Sequence, residues 1–159
     1  MKVFLIFTFV VILLNSSFTY QNSLPDAVED YINAFFTTLN GADFKMDEKC
    51  FGEDQVKQIE SLIKAIRKKD TIKVIKILKD DQTFTVEHCP VKEVQDFYDQ
   101  LNKAIKEGYY KTNFMNNLSP IGEIILTCFK KHFFKKISAH EAGKITAKIA
   151  KIVFYKKTE

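Results

Sequence analysis

Three histidines and three cysteines are the side chains of this chain best suited to metal binding or nucleophilic catalysis. His140-Glu141 begins like the His-Glu-x-x-His motif of zinc proteases, but Lys144 stands where the second histidine is needed. Two imidazoles one helical turn apart hold the zinc ion in that motif, so its ligand set is incomplete here. The sequence therefore predicts no metal site and no cofactor.

His88 and Cys89 are adjacent, which places a thiol and an imidazole side by side in the sequence. Catalysis by such a pair depends on contact through space and on a third group that orients the imidazole. The sequence marks no such group, so a disulfide is the favoured role for Cys89.

The acidic pairs Asp47-Glu48 and Asp80-Asp81 are the remaining candidates for site chemistry. Asp43 lies near the first pair, but the spacing of a twelve-residue calcium loop is absent. Solvated or helix-capping carboxylates are the favoured interpretation. With no glycine-rich phosphate loop either, we expect a protein that is not an enzyme.

The cysteines recur at a fixed interval, because Cys50, Cys89 and Cys128 are each separated by 39 positions. Leu62 follows Cys50 by twelve residues, Leu101 follows Cys89 by twelve, and a Lys-Ala-Ile triplet comes shortly after each leucine. This pattern predicts a helical unit that is used twice, with cysteines at its ends.

An odd number of cysteines predicts one disulfide and one free thiol in an oxidising compartment. We predict a Cys50–Cys89 disulfide, and a Cys89–Cys128 pairing stays open because the same periodicity permits it. Cys128 lies on the apolar side of a helical pattern, so we predict a buried free thiol there.

Residues 1–20 have the pattern of a secretory signal peptide. Lys2 precedes the apolar run Val3–Leu14, which is shorter than the roughly 20 residues that span a bilayer. Cleavage between Ser17 and Gln21 is predicted, and an uncleaved anchor is the alternative. We therefore expect a protein that is secreted or held in a secretory-vesicle lumen, with residues 21–159 as a single helical domain.

Apolar residues at three-to-four spacing predict an all-α, single-domain bundle of about six to seven short helices. Two repeated helical hairpins followed by a C-terminal helix pair are one arrangement that fits. A short strand is an alternative for residues 72–78 and for Phe84–Cys89. The sixth apolar stripe runs through Phe133, and the last helix is predicted to reach Tyr155. The predicted helix starts are Pro25, Asp54, Asp70, Pro90, Tyr109, Ser119 and Ser138.

Charge is divided unevenly along the mature chain. Residues 21–127 carry a net charge of −4, whereas residues 128–159 carry a net charge of +7. The basic end includes Phe129–Lys136 and a line of lysines on the last predicted helix: Lys144, Lys148 and Lys151. Such a segment can contact the acidic body of the protein or an anionic partner.

Two functions fit this composition. The favoured hypothesis is a non-enzymatic protein that acts by association with a protein partner or with itself, its lysine line being a solvated face. The alternative is a membrane-interacting effector whose basic amphipathic C-terminal helices contact anionic lipid. Nucleic acid is not an expected partner, because the chain carries an export signal and Arg67 is its only arginine.

The order of short motifs resembles that of small secreted helical proteins of ciliated protists. The resemblance is carried by Lys64–Asp70, by a second cysteine followed by Lys-Ala-Ile and Gly108, by Asn117–Pro120, and by the closing Ala142–Phe154. Many members have a glycine four residues after the terminal glycine, where this chain has Ala147. The resemblance implies a helical fold and an exported protein, and it carries no activity.

Overall fold

Seven α-helices account for most of the chain that the structure, a computed structural model, describes: residues 24–80 and 89–155. These residues contain no strand, which confirms the predicted all-α class. The predicted signal segment 1–20, most of the ambiguous segment Phe84–Cys89, Asp81 and His88 lie outside the described residues. The helices are α1 (Asp26–Asn40), α2 (Glu53–Arg67), α3 (Thr71–Leu78), α4 (Lys92–Lys106), α5 (Tyr109–Asn116), α6 (Leu118–Lys131) and α7 (Ala139–Phe154).

Side-chain caps set the start of two helices as predicted. The carboxylate of Asp70 accepts a hydrogen bond from the backbone N–H of Lys73, so α3 forms a helix and the strand alternative is wrong. The hydroxyl of Ser138 accepts one from the N–H of Glu141 at the start of α7. Each cap satisfies a backbone donor that a helix N-terminus leaves without a partner.

Four predicted starts are wrong by one or two residues, including Pro25, which directly precedes α1, and α6 ends earlier than predicted. α2 begins at Glu53, α4 at Lys92 and α6 at Leu118, so Ser119 lies inside the first turn instead of capping it. α6 begins one residue earlier than predicted because a single residue, Asn117, links it to α5. α6 stops at Lys131, which leaves Phe133 outside the helix and off its apolar stripe.

The sequence repeat corresponds to a repeated pair of helices. α2 and α4 each have 15 residues and begin three positions after Cys50 and Cys89 respectively. Each is followed by an eight-residue helix that packs against it, and the equivalent leucines Leu62 and Leu101 are both buried.

The two cysteines that begin these pairs form the predicted disulfide, with Cα atoms 4.4 Å apart. Cys128 is a buried free thiol on α6, and burial, followed by the nearby Glu141 carboxylate, raises the pKa of that thiol. Both findings confirm the sequence prediction. A structural disulfide is compatible with an oxidising secretory compartment.

α7 is the central helix of the described bundle. It packs against α1, α2, α4, α5 and α6, and its contact with α1 is the most extensive. Small residues make that contact close: a Cβ on Gly143 would lie 2.3 Å from the backbone oxygen of Tyr31. The Tyr31 hydroxyl also lies 2.6 Å from the Thr146 hydroxyl, in a buried hydrogen bond between the two helices. The last helix of the chain therefore completes the core.

Candidate functional site

Two aromatic rings stand in solvent on the turn between α6 and α7, which we call the α6–α7 turn (residues 132–138). Phe133 is 63 % exposed and Phe134 is 93 % exposed, and their ring centroids are 4.7 Å apart in an edge-to-face arrangement. Phe134 is the most exposed large apolar side chain in the described part of the chain. Exposed apolar patches are costly in water and commonly mark a surface that contacts a partner.

Backbone hydrogen bonds and one buried side chain hold this turn in a defined shape. The N–H of Phe133 donates to the carbonyl of Lys130 at 3.3 Å, and the N–H of Lys135 donates to that of His132 at 3.0 Å. Ile137 is fully buried immediately before the cap of α7, as is Ala142 one turn into the helix. This is the arrangement of a hydrophobic staple, which fixes the angle at which the chain enters a helix.

Two cationic side chains at the C-terminal end of α2 form hydrogen bonds with the α6–α7 turn. Lys69 donates its Nζ hydrogens to the carbonyl of Phe133 at 2.8 Å and lies 5.6 Å from the centroid of that ring. Arg67 donates from Nε to the carbonyl of Ile137 at 3.3 Å. Two long cationic side chains of one helix end therefore satisfy carbonyls of a turn more than 60 positions away in the sequence.

Lys69 adopts the left-handed backbone conformation, with φ of 57°. The N–H of the next residue, Asp70, bonds the carbonyl of Ala65, which gives the helix end a Schellman-type cap with lysine at the usual glycine position. A side chain in this conformation costs about 1–2 kcal/mol. This backbone conformation redirects the chain toward α3. The Lys69 ammonium contacts the α6–α7 turn.

Two basic stretches, Lys64–Lys69 and Lys130–Lys136, meet at this turn, and we call their eight lysine and arginine residues the basic rim. Lys136 shares one surface cleft with Lys64, Arg67 and Lys68 of α2, so the two basic stretches meet in space. Two acidic groups lie nearby: Glu60 lines the same cleft, and the Glu141 carboxylate is 3.6 Å from Nε2 of His132. The basic rim consists of Lys64, Arg67, Lys68, Lys69, Lys130, Lys131, Lys135 and Lys136.

The predicted lysine line lies on the outer side of α7. Lys148 and Lys151 are exposed, and Lys144 is partly exposed with its Nζ 3.8 Å from Glu141. The opposite side of α7, including Ile145 and Ile149, is buried against the neighbouring helices. Only the lysine side of this helix therefore reaches solvent, and its contact with anions stays a prediction.

The other candidates for chemistry do not come together. The described residues contain no group of three His, Cys, Asp or Glu side chains that could hold a metal ion. The Asp47 carboxylate accepts a hydrogen bond from the N–H of Lys49, which is the capping role predicted for such acids. His140 is exposed at the start of α7.

The sequence identified both basic stretches, Arg67–Lys69 and Phe129–Lys136, but assigned them to different helices. Their meeting depends on how α2 and α7 pack, which no local pattern encodes. The signal that was missed is Ile137 before Ser138, an apolar residue at the staple position, which indicates that the chain turns at this point.

Across residues 24–80 and 89–155, no helix has both the length and the apolar character required to cross a membrane. No protein-family model, no curated protein and no solved structure matches the chain. The resemblance to secreted proteins of ciliated protists stays a prediction.

Proposed function

We propose that this protein is exported and acts by association, not by catalysis, and that the surface it binds is an anionic lipid membrane. The α6–α7 turn inserts Phe133 and Phe134 into the headgroup region, while the basic rim contacts the lipid phosphates. The observation that carries this proposal is the pair of exposed phenyl rings on a turn where two basic stretches of the chain meet.

The apolar part of the binding energy comes from the two rings. Full burial of a phenylalanine side chain contributes about 1.5–3 kcal/mol. Phe133 and Phe134 are already exposed, so their transfer into lipid breaks no packing in the protein core. The hydrogen-bonded turn holds the rings outward, which reduces the entropy lost on binding.

The cationic part explains why the surface is expected to be anionic. A lysine or arginine held near an anionic bilayer contributes about 1 kcal/mol, and the contribution decays within about 8 Å at physiological salt. Cations next to an inserted ring lie within that distance, whereas cations further along the protein surface do not. An apolar insertion combined with adjacent positive charge is the pattern of interfacial membrane binding.

This mode of binding differs from the amphipathic-helix hypothesis. A helix lying in the interface must place its apolar face in lipid, and the apolar face of α7 is the part that packs against α1. Insertion through the turn leaves that packing intact, so the folded protein can bind without opening.

Two triple variants that remove equal charge test which lysines contact the membrane. Changing Lys130, Lys135 and Lys136 to Gln is expected to weaken binding to phosphatidylserine-containing vesicles by about two orders of magnitude, at about 1 kcal/mol for each lysine. Changing Lys144, Lys148 and Lys151 to Gln is expected to weaken it much less, because these lysines form a solvated face. Vesicle co-sedimentation gives both dissociation constants, and circular dichroism checks that both variants fold.

Equal losses in the two variants would mean that net charge alone attracts the protein. A loss confined to the Lys144, Lys148 and Lys151 variant would instead place the contact on the outer side of α7. If the wild-type protein does not bind vesicles, the membrane proposal is wrong. Association with a protein partner or with itself then becomes the favoured function.

A further inference from the structure

An apolar cavity of about 160 Å³, partly open to solvent, lies among α1, α2, α3, α4, α5 and α7, away from the α6–α7 turn. Leu62 and Leu101, the equivalent leucines of the two repeated helical pairs, both line it. Each copy of the sequence repeat therefore contributes an equivalent leucine to the lining of the same cavity. Aromatic rings make up much of the remaining lining: Phe35, Phe36, Phe51, Phe97, Tyr98 and Phe154.

Four buried polar side chains in the lining, those of Tyr31, Gln55, Tyr110 and Thr146, already have partners within the protein. The Tyr31 hydroxyl bonds that of Thr146, and the Tyr110 hydroxyl donates to the carbonyl of Leu78. Gln55 accepts a hydrogen bond from the N–H of Gly52 at 2.7 Å. Burial raises the pKa of the Tyr31 hydroxyl, which agrees with a dry interior. A polar ligand would thus lose its hydrogen bonds to water and gain few in return.

The charge around the cavity also argues against an ionic ligand. Among the lining residues that the structure describes there is no lysine, arginine or histidine, and Asp80 is the one carboxylate. Asp80 is exposed, so it lies at the opening of the cavity and not in its interior. An anion would find no cation inside, and burying an unpaired charge in an apolar space is strongly unfavourable.

We propose that this cavity is a binding site for a neutral apolar molecule about the size of one aromatic ring. An apolar cavity of about 150 Å³ in another protein stays dry and binds benzene, so the volume here is sufficient for such a ligand. Surrounding phenyl rings can meet an aromatic ligand edge-to-face, the geometry that aromatic pairs favour. This site is separate from the proposed membrane contact, and neither depends on the other.

Benzene and benzoate are a matched pair of probes, because they share the ring and differ in charge. Titration followed by two-dimensional NMR of the full mature protein is expected to show saturable binding of one benzene, with shifts centred on Leu62 and Leu101. Benzoate is expected to bind at least tenfold more weakly, since its carboxylate would enter an apolar space.

Two variants separate cavity binding from adsorption to the surface. Ile59→Phe adds volume at a partly exposed lining position and is expected to weaken benzene binding at least tenfold, whereas Leu126→Phe on the exposed side of α6 should leave it unchanged. Leu101→Ala enlarges the cavity and is expected to admit naphthalene, which the wild-type cavity excludes. Non-saturable benzene binding, or equal binding by Ile59→Phe and wild type, would overturn the proposal, whatever the outcome with vesicles.

Discussion

Replacing both Phe133 and Phe134 with serine is expected to weaken binding to anionic vesicles by more than a hundredfold. Each ring contributes about 1.5–3 kcal/mol when fully buried, and a factor of ten in affinity corresponds to about 1.4 kcal/mol. Full insertion of both rings therefore supplies about two to four orders of magnitude, and half-depth insertion supplies about one to two. Vesicle co-sedimentation at several salt concentrations measures the effect.

Salt separates the contribution of the rings from that of the basic rim. The loss caused by the serine variant is expected to persist at high salt, because removal of apolar area from water depends little on ionic screening. Loss through lysine variants should shrink as salt rises, since screening weakens the wild-type attraction that they remove.

Met115→Ser is the matched control for the phenylalanine variant. Met115 is 56 % exposed on α5, and Asn113 of the same helix bonds the Ile152 carbonyl near the C-terminal end of α7. The α6–α7 turn lies at the opposite end of α7, so Met115 should stay clear of the membrane. A hundredfold loss in this control as well, or full binding by the double serine variant, would contradict insertion through the turn.

Gly143→Ala is expected to destabilise the fold by about 3 kcal/mol, although it adds only one methyl group. The added Cβ would lie 2.3 Å from the Tyr31 backbone oxygen and 3.1 Å from the Ala34 Cβ. Overpacking of a tight interface costs about 1–3 kcal/mol and sometimes more, and here the clash is with backbone that cannot rotate away. The separation of α1 and α7 must increase, which also strains the Tyr31–Thr146 hydrogen bond.

Gly122→Ala adds the same methyl group but is expected to stabilise the fold. Gly122 lies inside α6, and no atom outside its local helix is within 4 Å of an added Cβ. Alanine in a helix interior is more stable than glycine by about 0.5–1 kcal/mol, so this variant should gain stability. Urea denaturation of both variants measures the contrast. A Gly143→Ala protein as stable as wild type would show that α1 and α7 do not pack as closely as described.

The existence of the helices, and the caps of α3 and α7, could be predicted from the sequence because the signals are local. Asp70 and Ser138 act within three residues of their own positions, and the periodic apolar stripes require only the repeat of a helix. The 39-residue spacing predicted cysteines at the ends of a repeated helical unit, and the structure selects Cys50–Cys89 over the Cys89–Cys128 pairing that the same spacing permits. In each case the residues that determine the structure lie close together in the sequence or recur at a fixed spacing.

The candidate membrane site could be predicted only in part, because it is assembled from distant segments. Phe133 fits the apolar period of α6, so the sequence alone assigned it to the apolar stripe of that helix. The helix ends at Lys131, and Lys69 binds the carbonyl of Phe133 from the far end of α2. Local periodicity contains no information about that contact, so the exposure of the rings and the joining of two basic stretches emerge only from the packed fold.

A single tryptophan at position 134 tests the central claim most directly, because the natural chain contains no tryptophan. With phosphatidylserine-containing vesicles, Phe134→Trp is expected to shift its emission to shorter wavelength and to be quenched by brominated acyl chains. Met115→Trp, at the other end of α7, should keep its emission maximum and escape quenching. If the Phe134→Trp emission stays that of a water-exposed indole while the protein is bound to vesicles, the α6–α7 turn does not enter the membrane and the account is wrong.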